Sequence, residues 1–372
     1  MKRRAFLQAS SLLLAGSRAS ADEPRRAFEA NVASPQDLAT PLAWFDREIT
    51  PTDVFFVRSH FGPPRLDPAR PLSVSGLVGS PLSFTAEELR RAFPAVTITS
   101  VLQCAGNGRR FHTPRVPGVQ WGHGAMGQAT FTGVRLRDLL AKAGASEGAA
   151  HVHLAGADAP PRPSVPAFVR GIPMARALDP STLVAWEMNG QPLTLAHGAP
   201  LRLVVPGWAG DHWVKWLTKL VVAKEEPEGF YMRTAYKMPA SPVAPGSAVK
   251  PEDMRSLTTF PVKSIIARPA EGGRTAAGPQ ELAGCAFSGD APIAKVEVST
   301  DGGATWSAAK LEGKAEVGRW QIWRHPFEAK AGRATAMVRA TDRKGHAQPE
   351  KPAWNPSGYS WNGWHAVSWE VA

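Results

Sequence analysis

The feature that most constrains the fold is a change of character between residues 238 and 258. The chain there reads Met238-Pro-Ala-Ser-Pro-Val-Ala-Pro-Gly, a proline-rich run that is typical of a connector between domains. Helix and strand patterns mix before it, whereas only strand patterns follow it. A chain of 372 residues is also too long for one ordinary core. The sequence therefore predicts two domains, over residues 40–240 and 258–372.

Local patterns predict the elements of the first domain. Thr85, with Glu88 three residues later, forms a capping box and predicts the start of a short helix. The β-branched and apolar residues from Val96 to Leu102 predict a buried strand that delivers Cys104 at its end. The other predicted elements are a helix over 134–143, which ends near Gly144, and strands over 72–78, 201–205 and 214–222.

Strand patterns recur at short intervals after the connector. Asp301-Gly302-Gly303 is a hairpin signal between two of them. The predicted strands cover 262–266, 293–298, 320–323, 335–340 and 366–371. This spacing predicts an antiparallel β-sandwich.

The first 21 residues have the composition of a targeting signal. Lys2-Arg3-Arg4-Ala5-Phe6-Leu7 is a twin-arginine pattern, a short apolar stretch follows, and Ala19-Ser20-Ala21 is a small-residue cleavage site. We expect residues 1–21 to be a Tat signal peptide, the alternative being a frayed basic N-terminus. Removing its four basic residues lowers the formal charge from +11 to +7. The Tat route carries folded proteins, so we expect a periplasmic cofactor enzyme whose basic surface attracts an anionic substrate or an acidic partner.

Cys104 lies in Leu102-Gln103-Cys104-Ala105-Gly106-Asn107-Gly108-Arg109-Arg110. Small residues let the backbone approach a ligand closely, and neighbouring arginines favour the thiolate, a soft metal ligand. The alternative is a buried, inert cysteine. The other cysteine, Cys285, fits no zinc motif with it. We expect the two cysteines in different domains, which makes a disulfide the less favoured interpretation.

The Cys104 segment resembles the Leu-Gln-Cys-Ala-Gly-Asn-x-Arg signature of the sulfite oxidase family of molybdenum-pterin enzymes, which includes bacterial periplasmic sulfite dehydrogenases. Further blocks resemble that family in the same order, over about residues 45–372. They are Phe55-Phe-Val-Arg-Ser-His60, Trp186-Glu-Met-Asn-Gly-Gln-Pro-Leu193, His197-Gly198, Arg202-Leu-Val-Val-Pro-Gly207, Val214-Lys-Trp-Leu217 and Tyr236-Lys237.

The resemblance implies a role for each matching residue. Cys104 is expected to be the metal ligand, and Arg58, Arg109 and Tyr236 are expected to be the catalytic residues around a small oxyanion. The residues expected to bind the pterin and its phosphate are Phe56, Arg58, His60, Asp158, His197, Arg202, Trp213, Val214 and Lys215. Each has an ordinary structural alternative, such as a salt bridge for Arg58, and His212 competes with His197 as a candidate.

The chain departs from the animal and plant members of the family at several positions. Gly108 stands where they often have an arginine and Pro117 where they have a lysine, although Trp121 matches. The segment Trp354-Asn-Pro-Ser-Gly358 lacks the arginine that they carry within it. We therefore expect a less basic substrate pocket. The sequence contains no Cys-x-x-Cys-His haem motif and no flavin or dinucleotide fingerprint, so we expect molybdenum-molybdopterin alone, with electrons leaving to a c-type cytochrome.

Taken together, the resemblance implies an α+β fold, in which a sulfite-oxidase-type molybdopterin domain precedes an immunoglobulin-like β-sandwich dimerisation domain. It implies a homodimer, or a heteromer with a haem subunit, that oxidises sulfite to sulfate. Three alternatives stay open: a sulfane dehydrogenase of thiosulfate oxidation, a nitrate or sulfoxide reductase of the same superfamily, and a periplasmic anion-binding protein without redox chemistry. No nucleic-acid partner and no membrane span are expected.

Overall fold

The computed structural model describes residues 29–372, except 34–35, 66 and 68. The predicted signal peptide, residues 1–21, lies outside these residues. None of the helices among the described residues is long and apolar enough to cross a membrane.

Strands dominate the described part of the chain. In chain order they are β1 (Glu29–Ala33), β2 (Gln36–Ala39), β3 (Leu72–Gly76), β4 (Leu82–Phe84), β5 (Val96–Gln103), β6 (Met126–Arg135), β7 (His151–Gly156), β8 (Val169–Pro173), β9 (Leu183–Met188), β10 (Gln191–Pro192), β11 (Arg202–Val204), β12 (Leu217–Ala223), β13 (Lys237–Pro239), β14 (Met254–Ser256), β15 (Lys263–Arg268), β16 (Arg274–Thr275), β17 (Gly278–Phe287), β18 (Ile293–Ser299), β19 (Ser307–Ala308), β20 (Lys310–Glu312), β21 (Gln321–Ala329), β22 (Gly332–Asp342) and β23 (His365–Val371). The α-helices are α1 (Ala86–Ala92), α2 (Leu136–Ala143), α3 (Met174–Ala177) and α4 (Phe230–Arg233). Short 3-10 helices span Leu42–Trp44, Thr52–Val54, Arg109–Phe111, Leu195–His197, Gly210–His212 and Pro251–Asp253.

Two five-stranded sheets form the first domain. One has the order β10-β9-β6-β5, with β11 also paired to β9, and the other has the order β4-β3-β12-β7-β8. Strand β12 runs parallel to β3 and antiparallel to β7. Helix α2 buries Leu136, Leu139 and Leu140 in the core that the sheets share. Apolar burial of this kind is the main stabilising term of a domain.

Most predicted elements of the first domain are confirmed. The capping box is present, because the Thr85 hydroxyl accepts the Glu88 N–H and the Glu88 carboxylate accepts the Thr85 N–H. Three boundaries were wrong by two residues or more. Strand β3 ends at Gly76, whose left-handed φ of 88° ends the extended conformation before residue 78. Helix α2 begins at Leu136, since residues 134–135 end strand β6. Strand β12 begins at Leu217, since Trp216 has a left-handed φ of 51° that no extended strand adopts.

The second domain is the predicted β-sandwich. Its sheets have the orders β15-β17-β21-β20 and β16-β23-β22-β18-β19. Trp323 and Trp369, both almost fully buried, pack between the sheets. The Asp301-Gly-Gly hairpin signal is confirmed, because β18 and β19 pair across it. Strand β17 was not predicted, although it lies inside its sheet between β15 and β21.

The two domains share a small core of their own. Phe45 and Met126 of the first domain pack there with Phe260, Cys285 and Trp320. Both cysteines are free and lie in different domains, as expected, and Cys285 is buried with 0% exposure. The connector is more ordered than its proline content indicated, since β13 and β14 pair across it. The second domain is therefore fixed against the first, close to the end of β5.

Candidate active site

Cys104 lies where strand β5 ends in a tight turn. Its N–H donates to the carbonyl of Ala125 (2.9 Å). Asn107 braces the turn, because its Nδ2 donates to Gln103 Oε1 (3.2 Å) and its Oδ1 accepts the N–H of Ala125 (3.1 Å). Gly108 takes a left-handed φ of 88° that favours glycine. The turn therefore presents the Cys104 thiol at a fixed place beyond the sheet.

Two clefts meet at Cys104. The first cleft encloses about 730 Å³ and the second about 1040 Å³ of open space. The residues that line both are Arg58, His60, Cys104 and Tyr236. The first cleft is lined in addition by all the other predicted pterin ligands, and the second by Arg109. The structure thus brings every predicted site residue to one of two adjoining cavities.

Arg58, His60 and Tyr236 form a hydrogen-bonded chain between the clefts. Arg58 Nη2 lies 3.3 Å from His60 Nδ1, and His60 Nε2 lies 2.8 Å from the Tyr236 hydroxyl. Burial lowers the pKa of His60 to about 3, so the ring is neutral near pH 7. Because a guanidinium can only donate, Nδ1 accepts and the ring proton lies on Nε2, where it donates to Tyr236. The phenol therefore keeps its own proton for a ligand in the clefts.

Arg58 is also held from its other side. Its Nη1 lies 3.4 Å from a carboxylate oxygen of Asp37, which is 2% exposed, and contacts the Ser59 carbonyl. Asp37 was not among the predicted site residues. The salt bridge foreseen as the structural alternative for Arg58 is thus present, and Arg58 lines both clefts as well.

Arg109 is held by hydrogen bonds to backbone carbonyls and lies in space that two glycines leave free. Its Nε donates to Ser357 O (3.3 Å) and its Nη1 to Val119 O (3.0 Å). A Cβ added at Gly106 or at Gly118 would lie 2.7 Å from Nη1, which is too close for real atoms. These glycines leave the volume that the guanidinium fills, and the side chain is presented to the second cleft without a carboxylate partner among the described residues.

The first cleft collects two buried cations, Arg202 and Lys215, beside Asp158, with which neither forms a salt bridge. Arg202 is 2% exposed and donates to the carbonyls of His197 (3.0 Å) and Trp213 (3.3 Å), while its Nε has no partner within the described part of the chain. Lys215 Nζ donates to Ala196 O (2.8 Å). No salt bridge of either residue is found among the residues that the structure describes. Burial lowers the pKa of Arg202 to about 9 and that of Lys215 to about 7. Such buried, unpaired cations match a phosphate-bearing ligand.

His197 and His212 are separated by their surroundings. His197 lines the first cleft, and its Nδ1 lies 2.8 Å from Thr194 Oγ1. Burial lowers the pKa of His197 to about 4. His212 faces Arg170 instead, with its Nε2 2.9 Å from Arg170 Nη2. Of the two histidines that competed in the sequence, His197 is the one that lines the cleft.

A buried ion pair behind Tyr236 was missed by the sequence reasoning. Arg170 and Asp211 are each 1% exposed in their side chains and lie 2.6 Å apart. The guanidinium carbon of Arg170 lies 5.1 Å from the centre of the Tyr236 ring. Tyr231 and Tyr359 line the second cleft as well. No local sequence pattern marks these residues, because they come together only through the tertiary fold.

The nearby arginines are only one of the influences on the pKa of the Cys104 thiol. Burial raises the pKa of the thiol, and Arg58 and Arg109 lower it less than burial raises it. The arginines therefore act in the predicted direction, but burial decides the net shift in the protein without a bound cation. The low polarity around the thiol, which the linear sequence does not show, outweighs both arginines.

Comparisons with known proteins agree with this geometry. A family model described as the oxidoreductase molybdopterin binding domain matches residues 60–231, and one described as the Mo-co oxidoreductase dimerisation domain matches residues 254–372. Mitochondrial sulfite oxidase from Homo sapiens is 38% identical over 93% of this chain and 67% of its own length. Sulfite oxidase from Arabidopsis thaliana is 32% identical over 94% of this chain and 95% of its own. The crystal structure of the sulfane dehydrogenase SoxCD from Paracoccus pantotrophus superposes with a TM-score of 0.80 at 28% identity, covering 98% of this chain and 96% of that one.

Proposed function

Because the chain belongs to the sulfite oxidase family of molybdenum-pterin oxidoreductases, we propose that it oxidises sulfite to sulfate at a centre held by Cys104. The observation that carries this proposal is the meeting of two different clefts at one thiol. One cleft offers buried cations for a phosphate-bearing cofactor, and the other offers Arg58, Arg109 and Tyr236 for a small oxyanion. A binding protein without redox chemistry has no need of the first cleft.

The residues of the first cleft fit the molybdenum-molybdopterin cofactor. Arg202 and Lys215 are desolvated cations whose charge a phosphate would neutralise. Asp158, His60 and His197 offer hydrogen-bonding groups to the pterin, and Phe56, Trp213 and Val214 complete the lining. Cys104 offers the soft thiolate that molybdenum accepts. When bound, the cofactor supplies the oxygen-atom transfer and accepts the two electrons of the reaction.

The chain's own part in the reaction is to bind and orient the anion. Arg58 and Arg109 supply planar donors to the sulfite oxygens. Tyr236, whose pKa burial raises well above 10, donates its phenol proton because His60 already occupies the hydroxyl oxygen. Positioning and electrostatics of this kind lower the barrier without covalent chemistry by the protein. Overall, sulfite and water give sulfate, two protons and two electrons.

The proposal extends to the electron acceptor, the compartment and the assembly. We propose a c-type cytochrome as acceptor of the two electrons, one at a time, and a periplasmic location reached by the Tat route. The charge of +7 after signal removal would attract an acidic partner. The match of residues 254–372 to a dimerisation domain supports a homodimer, or a heteromer with a haem subunit.

A sulfane dehydrogenase is the second candidate. The likeness to SoxCD over 98% of the chain supports it. The second cleft also contains Pro117 and Ser357, which are uncharged. The animal and plant enzymes have a lysine in place of Pro117 and an arginine within the segment that contains Ser357, so their pocket is more basic. A less basic cleft suits a sulfur group of lower charge than sulfite.

The deciding experiment uses the full chain purified with its native cofactor. Molybdenum near one per chain, with sulfite-dependent reduction of a c-type cytochrome, supports the proposal. Cys104→Ser is the control and should lose this activity. Molybdenum without sulfite activity, but with oxidation of a protein-bound sulfane, would favour the second candidate. Absence of molybdenum and of both activities would refute the family's chemistry for this chain.

A further inference from the structure

A loop of the second domain, residues 354–361, reaches the active site of the first. Three hydrogen bonds hold it there, in addition to the bond from Arg109 Nε to Ser357 O described above. Trp354 Nε1 donates to Pro114 O (2.9 Å), Ser357 Oγ to Lys237 O (2.8 Å), and the Ser360 N–H to Ala105 O (3.1 Å). Ala105 follows Cys104 directly. The second domain therefore takes part in the site and does more than offer a surface for assembly.

Tyr359, at the centre of this loop, touches two of the substrate groups. Its ring stacks on that of Tyr236, with centroids 5.5 Å apart and an interplanar angle of 8°. The guanidinium carbon of Arg109 lies 5.2 Å from the centre of the same Tyr359 ring. The backbone N–H of Tyr236 donates to the Tyr359 hydroxyl. One side chain thus contacts Tyr236 through both its ring and its backbone, and Arg109 through its charge.

Tyr236 needs such support. Its φ of 56° lies in the left-handed region, which a tyrosine does not adopt without a surrounding structure that holds it. Asn355, which is 3% exposed, in turn fixes Tyr359, because its Oδ1 accepts the Tyr359 N–H (3.1 Å) and its Nδ2 donates to the Tyr359 carbonyl (3.0 Å). The fixed conformation of the loop therefore also holds Tyr236 in place, because Tyr359 stacks on its ring.

We propose that Tyr359 is a positioning residue for the reaction, which holds the Tyr236 phenol and the Arg109 guanidinium in their places for the anion. The proposal rests on the proposed function. Tyr359 acts through these two residues, since its own hydroxyl is occupied by the Tyr236 backbone. In this chain, the loop whose Trp354–Gly358 segment lacks an arginine supplies an aromatic ring that orders the remaining cation, Arg109.

The test compares Tyr359→Leu and Tyr359→Phe in the molybdenum-loaded enzyme. Leucine removes the stack, the cation contact and the hydroxyl. We expect kcat per molybdenum to fall about 10- to 100-fold, because displacement of a reacting group by about 1 Å has effects of this size. Phenylalanine keeps the ring and loses one hydrogen bond, so we expect about a fivefold fall and near-normal KM. Trp354→Phe is the matched control, since it removes another bond of the same loop away from Tyr236, and its kcat and KM should equal those of the wild type.

A second measurement does not depend on turnover. Sulfate binding to the oxidised enzyme is followed by tryptophan fluorescence, for which Trp121 in the second cleft is a reporter. We expect a weaker sulfate affinity in Tyr359→Leu, by about 5-fold or more, and no change in Trp354→Phe. A general structural role would lower molybdenum content or thermal stability and leave kcat per molybdenum and sulfate affinity unchanged; that result overturns the proposal.

Failure of the proposed function is separable from failure of this inference. If the wild type binds molybdenum but oxidises no sulfite, the function fails, and a shifted sulfate affinity in Tyr359→Leu still supports the positioning role. If the wild type is active and both Tyr359 variants match it in every measurement, the inference alone fails. If Tyr359→Leu does not fold, Tyr359→Phe decides: a lower kcat per molybdenum supports the positioning role, and wild-type kinetics and sulfate affinity overturn it.

Discussion

Replacing Lys215 with methionine should stabilise the protein that lacks its cofactor and weaken its hold on the cofactor. Lys215 lines the first cleft, and desolvation lowers its pKa from 10.5 to about 7. Its charged form is therefore less stable in the folded chain than in the unfolded chain. Methionine has a similar length and no charge, so it removes this penalty.

The magnitude follows from the pKa and the contacts. The lowered pKa corresponds to about 4 kcal/mol of destabilisation at pH 7. Methionine also loses the hydrogen bond to Ala196 O, about 1 kcal/mol. It loses the charge 4.3 Å from the Trp216 ring as well, about 1 kcal/mol. The free energy of unfolding should thus rise by about 2 kcal/mol. Because the folded chain binds fewer protons between pH 7 and 10.5, the advantage of methionine should be full below pH 7 and disappear as the pH rises towards 10.5.

Denaturant unfolding of the cofactor-free full chain at pH 6, 7, 8.5 and 10 measures this effect. Lys219→Met is the matched control, because Lys219 lies exposed on β12 and its replacement should change stability little at any pH. In the loaded protein, molybdenum and pterin content should fall in Lys215→Met and not in Lys219→Met. A Lys215→Met variant that is less stable than the wild type at pH 7, with the same pH dependence, would refute the reasoning.

Three further predictions concern single contacts. Arg58→Gln should raise the KM for sulfite about 10- to 150-fold, the equivalent of a lost charge-assisted contact of about 1.5–3 kcal/mol, and an unchanged KM would remove Arg58 from the anion site. Gly106→Ala should raise the KM for sulfite about 10-fold, because the added Cβ would lie 2.7 Å from Arg109 Nη1 and displace the guanidinium. Gly148→Ala is the control and should have no effect, because Gly148 faces open space. Equal kinetics for the two variants would contradict the packing argument. Thr85→Ala should lower the free energy of unfolding by about 1 kcal/mol through loss of the helix cap, with unchanged kinetics; an unaltered unfolding midpoint would show that the cap is not stabilising.

Elements with a dense local signal were predictable from the sequence. The apolar run of β5 and the capping box of α1 contain the information that forms them, and both are where they were expected. Strand β17 lacked such a signal, because Gly278–Phe287 mixes proline, glycine, glutamine and glutamate with small apolar residues. Its strand conformation is imposed by its two neighbours in the sheet, β15 and β21, which satisfy its backbone groups. Tertiary pairing here overrides local preference.

The residues of the site divide in the same way, into those with a local sequence signal and those that only the tertiary fold brings together. Cys104, Arg58 and His60 occur in short motifs, so the resemblance located them one by one. Tyr359 lies 123 positions from Tyr236 along the chain and stacks on its ring only because the second domain packs against the first. Its contribution was invisible in the sequence, although the missing arginine of the Trp354–Gly358 segment marked the region as unusual. Pairings of this kind depend on the assembled domains, and no linear spacing encodes them.

The electrostatics of the first cleft connect cofactor binding to the proposed route of export. Burial leaves His60 and His197 neutral near pH 7 and makes the charges of Arg202 and Lys215 costly without an anion. A bound phosphate would reverse that cost and stabilise the folded chain by mass action. The order of events should therefore be cofactor insertion first and export afterwards, which a Tat signal permits and an unfolded-chain route does not. Accumulation of the exported protein should then depend on the supply of the cofactor, whereas a Lys215→Met variant should depend on it less.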